Sequence, residues 1–206
     1  THAVVTTSDP RVVRRSARAA WTLGAVLTAG WIGLLVWVRA TAPDVPALDT
    51  ALHDYAVETR TPESVDLADA VSVLGQVNVA VPLAVLGVVL VESVTRRWGR
   101  RRAGVMMAVL AGGGCAIGLA MNHLVGRERP VPDAWAGAAG GPSFPSGHTT
   151  AATVAALLLA WAITRAVERR RLQVVVWAVA AAWAVGVGWS RVWLGVHWPT
   201  DVLCAW

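Results

Sequence analysis

The sequence predicts an all-α membrane protein: a polytopic helix bundle with five full spans, the start of a sixth, and an interfacial amphipathic helical segment after span one. Three observations predict it. Of 206 residues, 55% are hydrophobic and 15% charged, and the mean hydropathy is +0.52. Several apolar runs approach the roughly 20 residues that a helix needs to cross the hydrocarbon. The 18 basic residues are all arginine, and most cluster at the ends of those runs. The last point excludes nucleic acid as a partner despite the net charge of +5, because the basic residues flank spans rather than form a basic face. Twelve tryptophans against one Tyr and one Phe suit interfacial anchors. Cys115 and Cys204 lack metal-ligand spacing, and no disulfide follows from them.

The length fits one domain, residues 1–206. Residues 1–18 read as a polar tail with Arg11, Arg14, Arg15 and Arg18 before the first span. Span one covers 19–38, with Trp21 and Trp37 near its ends and no signal-peptide cleavage site. Residues 39–76 hold seven of the thirteen acids. Leu48, Leu52, Tyr55 and Ala56 recur there at helical spacing, as do Val65, Ala68 and Val71 with Leu67 and Leu74. This predicts one or two amphipathic helices lying at the membrane surface, with Thr61-Pro62-Glu63 as a break and restart.

Span two covers 77–94 and ends at the arginine cluster of 96–102. Span three, 103–125, carries Gly112, Gly113, Gly114 and Gly118, which permit close helix approach. Residues 126–147 form a loop. Span four covers 148–164, followed by Arg165, Arg169, Arg170 and Arg171, and span five covers 172–189. Residues 190–201 read as a loop entering a sixth helix, with Pro199 in its first turn. From Pro199 that helix runs only about 12 Å, against a hydrocarbon core of about 30 Å, so a continuing tail is expected.

Alternate ends of the spans carry thirteen arginines and the opposite ends carry five. The positive-inside rule therefore places the N-terminus in the cytoplasm, with residues 39–76 and both polar loops outside, in a plasma membrane. Three segments meet at that outer face: Asn122 to Pro130, Pro145-Ser146-Gly147-His148, and Ser190 to Asp201. Arginine forks match phosphate oxygens. A Ser-Gly turn opening a span offers free N–H groups and the positive end of a helix dipole. The chemistry thus favours a phosphoryl group held by Arg129, Arg191, Ser146 and Gly147, with one histidine attacking phosphorus and the other protonating the leaving oxygen. A helix starting near Trp198 puts His197 and Asp201 one turn apart, so the carboxylate can hold one imidazole nitrogen and leave the other free. Arginines crowding this place would repel a cation, so no metal and no other cofactor is expected.

These motifs resemble the type 2 phosphatidic acid phosphatase (PAP2) superfamily. Its pattern runs Lys, six residues, Arg-Pro; then Pro-Ser-Gly-His; then Ser-Arg, five residues, His, three residues, Asp. The second part is complete at 145–148 and the third at Ser190, Arg191, His197 and Asp201. In the first part Arg129 and Pro130 match, while the family's lysine falls on Asn122. The resemblance implies a metal-independent hydrolysis of a lipid phosphate. His197 would be the nucleophile, Asp201 its orienting partner and His148 the general acid. Arg129, Arg191, Ser146, Gly147 and Asn122 would line the phosphate. The lipid is left open among a polyprenyl phosphate or pyrophosphate, phosphatidylglycerol phosphate and phosphatidic acid, and so is the oligomeric state.

Arg127 is read either as the charge missing at Asn122 or as a partner of Glu128. His123, His2 and His53 are read as structural or surface residues, and Trp193 and Trp198 as interfacial anchors in preference to a lining of the lipid entry. The competing reading is a lipid-phosphate binding or translocating protein that has lost turnover, for which Asn122 is the only argument. Soluble vanadate-dependent haloperoxidases share the pocket motif, and the membrane spans argue against them.

Overall fold

The computed structural model describes residues 10–41, 44–95 and 100–206. The first half of the expected N-terminal tail and residues 96–99 of the second arginine cluster lie outside the described residues. The chain divides into two compact units, 1–40 and 41–206. The first consists, where described, of α1 (Pro10–Thr41), which contains the predicted span one.

The second unit holds α2 (Ala47–Thr59), α3 (Pro62–Val73), α4 (Val77–Thr95), α5 (Arg100–Val125), α6 (Gly147–Ala166), α7 (Arg170–Trp193) and α8 (Pro199–Leu203). Among the described residues there is no strand. Among the described residues, four helices are long and apolar enough to cross a membrane: α4, residues 102–125 of α5, α6 and α7. They match the predicted spans two to five to within a few residues. One difference bears on the site. Helix α7 runs on to Trp193, so Ser190 and Arg191 occupy its last turn instead of a loop.

Helix α6 is the hub, packing against α4, α5 and α7. Its membrane-length window is 44% buried, against 22% or less in the other three. Small side chains make this possible. Ala151 and Ala155 meet Ala80 and Ala84 of α4, while Ala156 and Ala160 meet Ala180 of α7, with Trp183 packing against both groups. In lipid, where apolar side chains gain little by leaving the solvent, close backbone approach supplies the packing energy. Of the span-three glycines, Gly114 and Gly118 face α6: an added Cβ would lie 2.9 Å from Val154 and 3.3 Å from Thr150. Gly112 and Gly113 meet nothing there.

The acidic segment forms two helices, restarted as expected at Thr61-Pro62. Thr61 accepts from the Ser64 amide and Ser64 Oγ from the Thr61 amide, with Pro62 in the first turn. Both helices pack on α7, and α2 also packs on α8. Their faces are arranged unlike those of a core helix. Helix α2 buries Asp49, His53 and Ala56, while Leu48, Leu52 and Tyr55 point outward. Helix α3 buries Ala68 and Ser72, with Leu67 exposed. The expectation that His53 is a surface residue is therefore corrected: it is only 4% exposed, because the buried face of α2 is its polar one.

Candidate active site

The C-terminus of α5, the N-terminus of α6 and the C-terminus of α7 meet at a cavity of about 440 Å³. Asn122, Arg129, Gly147, His148, Arg191 and His197 all line it. Val77, Cys115, Gly118 and Leu119 give it an apolar wall. The three segments singled out from sequence thus converge on one space.

His197 sits between α7 and α8. The turn before it needs Gly195, whose φ is +72° and whose added Cβ would collide with the Ala134 carbonyl. Helix α8 begins at Pro199 with Trp198 as its cap, as the spacing predicted. Asp201 Oδ2 accepts from the Trp198 amide at 2.9 Å and lies 3.3 Å from His197 Nδ1. A carboxylate only accepts, so Nδ1 carries the proton and Nε2 is left with its lone pair. That lone pair faces Arg129 Nη1 at 2.9 Å. Burial pulls the His197 imidazole below its usual pKa; the Asp201 bond and charge oppose this, and Arg129 and Arg191 reinforce it.

Arg129 is engaged at every N–H. Nε donates to Gly141 O, Nη2 to Gly140 O and Pro142 O, and Nη1 to Val196 O as well as to His197. It ties the 140–142 loop to the nucleophile candidate, and a phosphate must displace some of these bonds to reach it. Burial lowers its pKa, with Asp201 opposing. Arg191 differs. Nη1 donates to Ser72 Oγ at 2.6 Å and Nη2 to Ala138 O at 3.1 Å, while the buried Nε has no partner. The Arg191 side chain lines the cavity, and a buried donor left unpaired is costly unless an acceptor reaches it.

The Pro-Ser-Gly-His turn divides its labour. Ser146 is fully buried and caps α6, its Oγ accepting from the Thr149 hydroxyl at 2.9 Å and the Thr149 amide at 3.4 Å. Its own amide donates to the Asp201 carbonyl, joining the second motif to the third. It is set behind the cavity wall. Gly147 and His148, the first residues of α6, line the cavity where helical amides have no partner within the helix. His148 is packed against Gly75, where an added Cβ would lie 2.9 Å from the His148 carbonyl. Asn122 lines the cavity too, with Nδ2 donating to Pro142 O at 2.8 Å.

Two sequence expectations are corrected. Arg127 neither faces the cavity nor pairs with Glu128. It is buried and bridges Asp49 and Asp201 at 2.7 Å each. Trp198 is not an interfacial anchor: it is 9% exposed, its Nε1 donates to Glu128 O, and it packs against His53 and the Arg127 guanidinium. Asp49 and His53 are site neighbours that the motifs do not single out. The signal was present, since Asp49, His53 and Ala56 share one helical face, but an acidic run reads first as a solvated one.

Fold and pocket together define a polytopic helical membrane protein with a cationic cavity that holds two histidines at the ends of its spans. The model of the PAP2 superfamily matches residues 102–206, and the chain belongs to that superfamily. It is 45% identical over 68 residues to phosphatidylglycerophosphatase B of Escherichia coli K12, and equally to that of Shigella flexneri, a stretch covering 32% of this chain. It spans about a quarter (24%) of the length of these relatives. The crystal structure of a transmembrane PAP2-type phosphatidylglycerolphosphate phosphatase from Bacillus subtilis superposes with a TM-score of 0.75 at 26% identity, covering 86% of this chain and 87% of that one.

Proposed function

We propose that this protein is a metal-independent membrane lipid phosphatase acting through a phosphohistidine. The observation that carries the reading is the orientation of His197: Asp201 occupies Nδ1, and Nε2 points into a cavity lined by Arg129, Arg191 and His148. Substrate phosphate takes the free Nε–H of Arg191 and the first amides of α6, and it draws Arg129 Nη1 away from His197. The bared Nε2 attacks phosphorus. The P–N bond forms as the P–O bond to the leaving group breaks, and His148 gives that oxygen its proton. Water then attacks the phosphohistidine, passing a proton back to His148, and inorganic phosphate leaves. Asp201 stabilises the positive imidazole throughout.

Phosphatidylglycerol phosphate is the first substrate to test, on the strength of the relatives; a polyprenyl pyrophosphate and phosphatidic acid are the alternatives. The arginine distribution supports a site on the extracytoplasmic side, and the apolar runs support five spans and the start of a sixth. The test is phosphate release from each lipid by detergent-purified protein in EDTA, with His197→Ala as control. Release by the wild type alone is expected. A requirement for added metal would sink the mechanism. Tight binding of all three lipids without release would favour the binding-protein reading, to which Asn122 in place of lysine points.

A further inference from the structure

We propose that Asp49 and Arg127 are positioning residues of the active site, holding the Asp201 carboxylate and setting how strongly it acts on His197. The proposal rests on the phosphatase reading above.

Asp201 has two oxygens and each is committed. Oδ2 receives the Trp198 amide and faces His197. Oδ1 receives Arg127 Nη1 at 2.7 Å. The same Nη1 lies 2.7 Å from Thr200 Oγ1, and Nη2 reaches Asp49 Oδ2 at 2.7 Å. Asp49 in turn accepts from the Thr200 amide at 2.9 Å and its hydroxyl at 2.6 Å. Both carboxylates are fully buried and Arg127 nearly so. The result is a row of charges, minus, plus, minus, that ends at the imidazole. Helix α2 supplies its far end, and one turn along puts His53 against Trp198, with Nε2 near Gly195 O.

A carboxylate bonded through one oxygen can turn about its Cβ–Cγ bond; bonded through both, it cannot. Arg127 therefore keeps Oδ2 on Nδ1, which keeps the lone pair on Nε2. It also dilutes the negative charge His197 meets, while Asp49 restores part of it. The other charged or titratable groups around His197 and Asp201 are Arg129 from the loop, Arg191 from α7, His148 from α6, the Cys204 thiol at the end of α8 and, behind Trp198, His53 from α2. None of them links to Asp49.

This arrangement makes a prediction that a merely structural role does not. Arg127→Gln leaves the Asp201 charge undiluted, favouring the imidazolium, so the acid limb of kcat/KM moves to higher pH. Asp49→Asn leaves the Arg127 charge unopposed, so the limb moves to lower pH. In both, kcat falls on the order of tenfold to a hundredfold through misplacement of the nucleophile, with KM within about twofold. Arg127→Lys keeps the charge without the two-pronged fork, so kcat falls while the limb stays near the wild-type position.

The experiment is a set of pH–rate profiles for wild type and the three variants on one lipid phosphate, so that substrate ionisation is common to all. Thermal unfolding in the same detergent is measured alongside. Opposite shifts of the acid limb bear the proposal out. Limbs that stay put or move together, or activity lost only in step with unfolding temperature, overturn it. Should Arg127→Gln not purify as a single species, Asp49→Asn and Arg127→Lys decide on the same terms. A wild type as inert as His197→Ala has a different signature: it overturns the phosphatase reading and takes this proposal with it.

Discussion

His197 is held between opposing influences, and their balance sets its chemistry. Burial and two nearby guanidiniums favour the neutral ring, while Asp201 favours the charged one; burial dominates. The neutral ring is the nucleophilic form. A histidine 13C NMR signal that disappears in His197→Ala should therefore titrate below the ordinary value of about 6.5; a midpoint above it would refute the balance. Because the folded value is depressed, the folded state binds fewer protons than the unfolded one in that window. His197 thus adds stability above about pH 6.5 that is lost as pH falls through its folded value. Asn122 is the other decisive residue. A neutral amide on the cavity wall gives a phosphate no full charge, and one of its two N–H groups already serves Pro142. Asn122→Lys should raise turnover by up to about tenfold, the scale of one charge-assisted hydrogen bond at about 1.5–3 kcal/mol less the cost of burying the ammonium. Unchanged or reduced release would mean that Arg129, Arg191 and the α6 amides already suffice.

At the scale of elements, α6 does two jobs on one helix. Its N-terminus presents Gly147 and His148 to the cavity, and its alanine-rich body packs against three neighbours. The position of His148 therefore depends on close packing further along. Gly114→Leu forces a side chain into Val154 across the α5–α6 contact. Overpacking of this kind costs about 1–3 kcal/mol, so the unfolding temperature in detergent should fall by several degrees. An unchanged transition would show that the two helices are not held at this point. Helix α8 is fastened in a comparable way: Val202 and Trp206 lie over Gly188, and Trp206 Nε1 donates to Ala184 O. Asp201 is thus seated against α7 even though α8 is only five residues long.

At the scale of the molecule, the arginine asymmetry predicts which side the cavity faces. Asp133 lies on the exposed part of the 126–146 loop. In a variant with Cys115 and Cys204 replaced by serine, Asp133→Cys should react with a membrane-impermeant maleimide added to intact cells, and Arg170→Cys only after lysis. The reverse pattern would invert the orientation.

The sequence by itself determined the four membrane-length helices α4 to α7 and the motif residues of the candidate site. Apolar runs, arginine clusters and Pro/Gly punctuation are local signals, and within lipid a backbone must close its own hydrogen bonds, so a long apolar run has few choices but a helix. The positions of His148, His197, Arg129 and Arg191 in three short motifs were legible for the same reason: their order and spacing are properties of the chain. Only the tertiary structure decided which groups stand behind them. It turned Ser146 into a helix cap, filled every donor of Arg129 and left the buried Nε–H of Arg191 without a partner. It also sent Arg127 to Asp49, 78 residues away in the chain, and put the polar face of α2 inward. No periodicity encodes such pairings. They follow from where a buried charge finds its nearest opposite, and only the folded chain settles that distance.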